Sequence, residues 1–539
     1  MYGSITLENR FGVNKMELIS LKYAIFVIVL LVLYYCFPKK YRWYVLLAGS
    51  MAYYVIICKW YVLFIIFTIC TTYGSTIWID KLLKKQNAIV KSHMEDWDRQ
   101  TRKEYKEKGR KKRVAVMLFA LLCNFGILAI LKYIPYAGEL GLLLPLGISF
   151  YTFQSMGYVM DVYREIVEPE KNFLKVALFV SFFPQIIQGP IAIYDKLAGQ
   201  LYEGHSLRLE NLQKGALLVL WGVMKKLVIA DRAVNIINFV MDKPMDFSGT
   251  YVFFTAVVYA LQLYADFSGG IDIVRGIAEM FGITMSTNFN HPYFSRSLTE
   301  YWHRWHMTLG DWCRNYIFYP LSISKRFLNF GKWLKPRFGA HISKVLPGCI
   351  ASVITFIVIG VWHGANMKYL YFGLWNGIVI MLAELFAPVN KKVAGGFFKL
   401  TGLREKGIFA TVVSVLWTFM LILVGYYFDI AANASTAFHM LFKSVTDFHI
   451  SELGINNIIL NLGACGLDEY DILLLIICTL LWFFISFVEE NKKLDMRDFI
   501  LSRKLPLRWA IIYLGIFIVI IFGYYGPGVN PADFVYMQF

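Results

Sequence analysis

The sequence predicts an all-α, polytopic integral membrane protein with roughly 11–14 transmembrane or membrane-embedded helices. Three observations carry that reading. The 539-residue chain is 58% hydrophobic and 17% aromatic, with a mean hydropathy of +0.52, which a water-soluble fold could not carry without large exposed apolar patches. Apolar runs of about 17–25 residues recur along it, each long enough to cross the hydrocarbon core as a helix and unlike the short alternating strands of a barrel. Between the runs lie short loops rich in Lys and Arg, the pattern of cytoplasmic loops. No Pro/Gly/Ser linker or long soluble stretch interrupts the series, so residues 1–539 read as a single membrane-embedded domain.

The spans are expected at 18–37, 43–58, 60–79, 114–133, 145–163, 176–194, 213–231, 250–265, 347–364, 368–389, 408–430, 471–488 and 509–526. Met1 to Glu17 is polar and lacks a cleavage pattern, and the first run continues into Pro38-Lys39-Lys40, so a retained first helix is expected. Lys81 to Arg113 holds 13 Lys/Arg against 5 Asp/Glu and is expected in the cytoplasm, which puts the N-terminus outside. Ser322 to Leu346 carries Lys325, Arg326, Lys332, Lys335, Arg337 and Lys344 with no acid, and is placed inside as well. The more acidic 431–470 falls outside, and alternation then leads to an external C-terminus. Two spans are interrupted: 176–194 by Pro184 and Pro190, and 213–231 by Lys225-Lys226. Either can be a re-entrant or buried helix, tolerated where protein or water satisfies the backbone.

The net charge of +17 does not point to nucleic acid, because the basic residues sit in short loops rather than on one soluble face. The eight cysteines lie mostly within apolar runs and form no Cys-x-x-Cys pair, so they read as small buried hydrophobes.

Two places concentrate polar chemistry. The apolar segment Val345 to Val361 closes on Trp362-His363-Gly364-Ala365-Asn366, and an ionisable imidazole at the end of a membrane-length run is either an interfacial histidine or a site. The stretch Tyr264 to Pro320 holds Asp266, Asp272, Asn288, Asn290, His291, His303, Arg304, His306 and Arg314. Within it Trp302, Trp305, Leu309, Trp312 and Tyr316 step by three and four, predicting one helix with an aromatic stripe. His303 and His306 are three apart, but no His-Glu-x-x-His pattern or third ligand accompanies them, and no metal is expected. His306 and Asp311 match a His-x4-Asp pattern, yet five residues of helix set them some 140° apart. No phosphate loop, dinucleotide fingerprint or Gly-x-Ser-x-Gly elbow is present. A histidine without a nucleophile motif fits a general base acting on an incoming hydroxyl.

Several separated motifs resemble the membrane-bound O-acyltransferase family, in its bacterial alginate O-acetyltransferase membrane-subunit branch. They are Pro145 to Gln154, Asp161-Val162-Tyr163-Arg164, Phe182-Phe183-Pro184-Gln185 with Gly189-Pro190, Asp266-Phe267-Ser268-Gly269, Asn288 to Tyr293, Arg304-Trp305-His306 and Trp362-His363-Gly364-Ala365. The likeness covers about residues 20–430, leaving 431–539 as extra C-terminal helices. It implies that family's fold around a central tunnel, with His363 as the essential base and His306 as a supporting group beside it. Asp266, Asn290, Arg304, Trp305, Arg314, Trp362 and Asn366 are then candidates to line the tunnel or tie its helices together. It further implies acetyl-CoA as cytosolic donor, no tightly bound cofactor, and a bacterial plasma-membrane location. The expected partners are membrane lipids, polysaccharide synthesis machinery and a separate extracytoplasmic acceptor protein of SGNH type. His303 and Asn315 depart from the residues usual at their positions. A sister branch that transfers D-alanine toward teichoic acids, and a non-enzymatic transporter or flippase, are the alternatives.

Overall fold

The structure, a computed structural model, describes residues 16–134, 144–402, 404, 407–454, 457, 463–526 and 534. The polar N-terminal residues 1–15 and most of the segment after 526 lie outside the described residues. All regular structure among the described residues is helical. Seven described stretches are long and apolar enough to cross a membrane: Lys39–Ser92, Arg99–Tyr133, Gly249–Met280, Lys325–His363, Ile408–Ile430, Glu469–Lys492 and Leu505–Phe522. The bent pair Met367–Leu385 and Ala387–Thr401 makes an eighth if taken as one span. This is a multi-pass membrane protein. Its residues cluster into two compact units, one of Tyr2–Val219 with Ile273–Ser286 and the other of Leu220–Asp272 with Thr287–Phe539.

In the first unit, Leu21–Cys36 is capped by Ser20, whose hydroxyl accepts from the Tyr23 amide at 3.2 Å. The turn at Pro38 is held by Arg42, which donates to the Phe37 carbonyl at 2.9 Å and stacks on Tyr34 and Tyr35. The basic stretch 81–113 is not a loop. Val62–Ser92 runs 13 residues past the apolar run, and Arg99–Tyr133 begins 15 residues before the next one, behind an Asp98 cap that accepts from the Thr101 amide at 2.9 Å. Lys, Arg, Glu and Gln are good helix formers, so charge marks the exit from the membrane without ending the helix. Arg113 and Gln86, both buried, hold the two arms together at 3.0 Å.

The interrupted stretch 176–194 is two helices, Phe173–Ser181, buried from Val176 onward, and Phe183–Gln188, with Phe182 leaving helical geometry between them (ψ 112°) and Pro184 in the first turn of the second. Such a break leaves backbone groups that lipid cannot satisfy. Here the Ser50 hydroxyl accepts from the Phe183 amide at 3.1 Å, and the Gln154 amide donates to the Phe179 carbonyl at 2.6 Å. Gln185 also donates to the Gln154 amide oxygen, so the Phe-Tyr-Thr-Phe-Gln and Phe-Phe-Pro-Gln motifs brace one another.

In the second unit, the Lys225-Lys226 interruption falls in a π-helical turn, Lys225–Ala230. Lys225 pairs with Asp272 at 2.6 Å and donates to Ser268 at 2.8 Å. Lys226 lies between Asp266 at 2.7 Å and Asp231 at 2.8 Å, all three side chains buried. Buried charge is kept by pairing, and the widened turn aims both ammonium groups at the facing helix. The helix Lys325–His363 folds back at Gly339, where the backbone is left-handed (φ 82°), so that Gly331 packs close to the Ser343 carbonyl. The acid-free basic stretch is thus itself a helical arm, and the apolar part leads straight to His363.

Candidate active site

His306 lies within the stretch Trp302 to Tyr316, where the sequence predicted one helix. That helix is broken. Leu298–Arg304, capped by Ser297, ends at an extended Trp305; His306 takes left-handed backbone angles (φ 43°, ψ 52°), and Met307–Cys313 then starts afresh. The cause is a non-local competitor for the backbone. The Asn290 amide donates to the Arg304 carbonyl at 3.0 Å and the Met307 amide to the Asn288 carbonyl at 2.9 Å, so 288–290 replaces the helical bonds across the break. Positive φ at a residue with a side chain costs roughly 1–3 kcal/mol, which these bonds offset. The aromatic stripe splits accordingly. Trp302 turns to Phe356, Phe372 and the Asn376 amide oxygen (2.9 Å), whereas Trp305 packs among Tyr264, Phe289, Tyr293 and Tyr301.

The Asn288 side chain sets the state of the His306 ring. Its Oδ1 accepts from the Thr308 amide (3.1 Å) and the Thr308 hydroxyl (2.9 Å), and lies 3.2 Å from His306 Nδ1. A backbone N–H can only donate, so the atom facing it is the amide oxygen and Nδ1 must carry the proton. Nε2 is then the lone-pair nitrogen. Burial first, and the neighbouring His363 second, push the His306 imidazole down to about 3, leaving it neutral at physiological pH.

His363 is the last residue of its helix and is nearly buried, with Trp362, Tyr369 and Phe372 around its ring at centroid distances of 5.0, 5.9 and 5.5 Å. Two small residues seat this helix against Met367–Leu385. A Cβ on Gly360 would lie 2.3 Å from the Tyr369 carbonyl oxygen, and one on Gly373 2.4 Å from that of Phe356, the close backbone approach that small residues allow between membrane helices.

The two histidines line one partly open cavity together with Tyr301, Trp302, Trp305, Asn376, Tyr426 and Asp429. Of the candidates read from the sequence, His306, His363 and Trp305 are on this lining. Trp362 is buried beside it, its ring 6.4 Å from that of His306. The others stand elsewhere. Asp266 is in the Lys226 ion cluster. Asn290 is exposed and uses its backbone at the helix break. Arg304 pairs with Glu300 (2.7 Å) and Glu490 (3.0 Å). Arg314 pairs with Asp311. Asn366 caps Met367–Leu385, accepting from the Lys368 amide at 3.1 Å. His303 is exposed while His306 is buried, and among the described residues no three His, Cys, Asp or Glu side chains gather to hold a metal.

Asn376, Tyr426 and Asp429 were not singled out from the sequence. They lie inside or near the ends of apolar helices, and a polar residue within such a run is the signal that could have found them. Asp429 accepts from the Tyr259 hydroxyl at 2.6 Å. The Tyr301 and Tyr426 hydroxyls are 2.7 Å apart, those of Tyr426 and Tyr293 3.1 Å, and Tyr293 donates to the Ala260 carbonyl at 2.6 Å.

A buried histidine pair thus stands at two helix ends inside a multi-pass helical fold, and the chain is similar to the membrane-bound O-acyltransferase family, whose model matches residues 169–335. That match includes His306 and stops short of His363. Among its relatives are a probable alginate O-acetylase of Pseudomonas syringae pv. tomato, 30% identical over 58% of this chain and 54% of that protein, and a peptidoglycan O-acetyltransferase of Helicobacter pylori, 30% identical over 51% and 56%. A teichoic acid D-alanyltransferase of Bacillus subtilis is 26% identical over 52% of this chain and 67% of that protein. The chain thus spans a little over half the length of the first two.

Proposed function

We propose that this chain is a membrane O-acyltransferase that passes an acetyl group from cytosolic acetyl-CoA to an extracytoplasmic acceptor, for O-acetylation of a cell-surface polysaccharide. The observation that carries the reading is that His306 and His363, from two separate motifs, line the same cavity. In this reading His363 takes the proton of the acceptor hydroxyl as its oxygen attacks the thioester carbonyl. The C–S bond then breaks, an ester forms, and coenzyme A leaves as the thiol with the proton His363 held. His306, neutral and fixed by Asn288, presents Nε2 as a hydrogen-bond acceptor that orients the incoming group. The chain sits in a bacterial plasma membrane with both termini outside and 81–113 in the cytoplasm, and it works with an extracytoplasmic SGNH-type acetyltransferase and the polysaccharide synthesis machinery. The names of the acetylating relatives and the loop charges support this reading.

Polymer-bound acetyl ester, measured in cells carrying His363→Ala, tests it. A general base contributes about 10²–10⁴-fold, so acetylation should fall to background at normal expression, and His306→Ala should reduce it less. Unchanged acetylation in the His363 variant refutes the assignment. Ester-linked D-alanine in place of acetate moves the reading to the sister branch.

A further inference from the structure

Resting on the acyl-transfer reading above, we propose that Asp429 grips the acceptor: its carboxylate takes a hydrogen bond from a donor group beside the hydroxyl that is acylated. The cavity would then select polyhydroxylated acceptors over simple alcohols.

Asp429 stands next to the end of Ile408–Ile430 and shares the cavity lining with His306 and His363. Tyr259 holds its Oδ2 at 2.6 Å, which fixes the side chain, while Oδ1 has no protein partner among the described residues. The nearby cation does not take that oxygen. Lys368 Nζ donates instead to the backbone carbonyls of Asp429 (2.7 Å) and Ala431 (2.8 Å) and lies over the Tyr369 ring. An ionised carboxylate can only accept hydrogen bonds, so this position asks for a donor on the ligand.

The rest of the polar lining points the same way. Tyr293 donates its one proton to the Ala260 carbonyl, so it must accept from Tyr426, and Tyr426 in turn must accept from Tyr301. The direction of the chain is fixed by a backbone group at its far end, and the Tyr301 oxygen can meet a ligand only as an acceptor. His306 presents a lone-pair nitrogen, as argued above from Asn288. Carboxylate, phenol oxygen and imidazole nitrogen are all acceptors. An acetyl thioester offers none of them a proton, whereas a ligand with several adjacent hydroxyls offers one to each.

Membranes from cells expressing the full chain, supplied with acetyl-CoA labelled in the acetyl group, provide the test, with methyl α-D-glucopyranoside and ethanol as acceptor probes. Asp429→Asn keeps the shape and loses the charge. It should lower kcat/KM for the glucoside about 10- to 100-fold, chiefly through KM, while transfer to ethanol changes by less than about 2-fold. Tyr259→Phe leaves the carboxylate but frees it, and should lower the glucoside preference by roughly 3- to 10-fold; it carries the test if the Asp429 variant does not reach the membrane. Equal loss on both alcohols, or no loss on either, overturns the proposal. A loss seen only with a D-alanyl thioester donor would put an ammonium group against Asp429 and overturn it too. Wild-type membranes that acetylate neither alcohol beyond the His363→Ala background overturn the acyl-transfer reading itself, and this proposal with it.

Discussion

Asn288→Asp should give His306 a titration that the native protein hides. The substitution keeps the oxygen that accepts from the Thr308 amide, the Thr308 hydroxyl and Nδ1, and adds a full negative charge 3.2 Å from the ring. In the native site the fall from 6.5 to about 3 corresponds to about 5 kcal/mol against the imidazolium. A unit charge at that distance, with an effective dielectric constant of about 20, favours the imidazolium by about 5 kcal/mol. The two nearly cancel, so the ring returns toward its ordinary value. The sign follows: native His306 stays neutral from pH 8 to 5, whereas the variant's ring gains a proton as pH falls through the ordinary histidine range and loses its Nε2 lone pair. Acetyl transfer by isolated membranes, measured from pH 8 to 5, should therefore show an acid-side loss in the variant that the native profile lacks. Superimposable profiles at equal protein level would refute both the tautomer assignment and the role of Nε2.

Two further perturbations separate structure from chemistry. Asp266→Asn removes one carboxylate from a buried ion cluster and should destabilise the protein by about 3–5 kcal/mol, read as early loss of a monodisperse peak on heating in detergent; acetylation per folded molecule should hold, and a selective loss of activity would return Asp266 to the site. Gly360→Leu drives a side chain into the Tyr369 carbonyl, 2.3 Å from a Cβ. It should displace His363 and abolish transfer, while the same change at Gly395, where a Cβ meets nothing within 4 Å, should be silent.

Hydropathy located Ile408–Ile430 to the residue, and Met367–Leu385 began within one residue of its expected start, because long apolar runs have one way to satisfy their backbone in lipid. Charge was the weaker guide to helix ends. Lys and Arg place a segment at the cytoplasmic face but do not stop a helix, so the arms at 81–92 and 99–113 were invisible as structure. The break at His306 was illegible for a different reason. Local spacing over Trp302, Trp305 and Trp312 supports an unbroken helix, and only the amides and carbonyls of 288–290 overrule it. The same holds for the site. His363 stood out as an ionisable group at the end of an apolar run and His306 within the polar stretch 264–320, but membership of the cavity depends on packing between helices far apart in sequence. That is why Asp266 and Arg304, equally conspicuous in the chain, belong to ion pairs, whereas the quieter Asn376 and Asp429 face the histidines.

The reversal at Gly339 has a mechanical consequence. On a rigid helix, adding or removing one residue anywhere before His363 would turn the ring by about 100° and slide it about 1.5 Å along the axis. The left-handed joint uncouples the basic arm from this arithmetic. A length change between 325 and 338 moves only the arm, whereas one between 340 and 362 swings the imidazole out of register with His306. Length changes in the arm are thus separated from the histidine-lined cavity by one residue, while the segment behind His363 is held to its count.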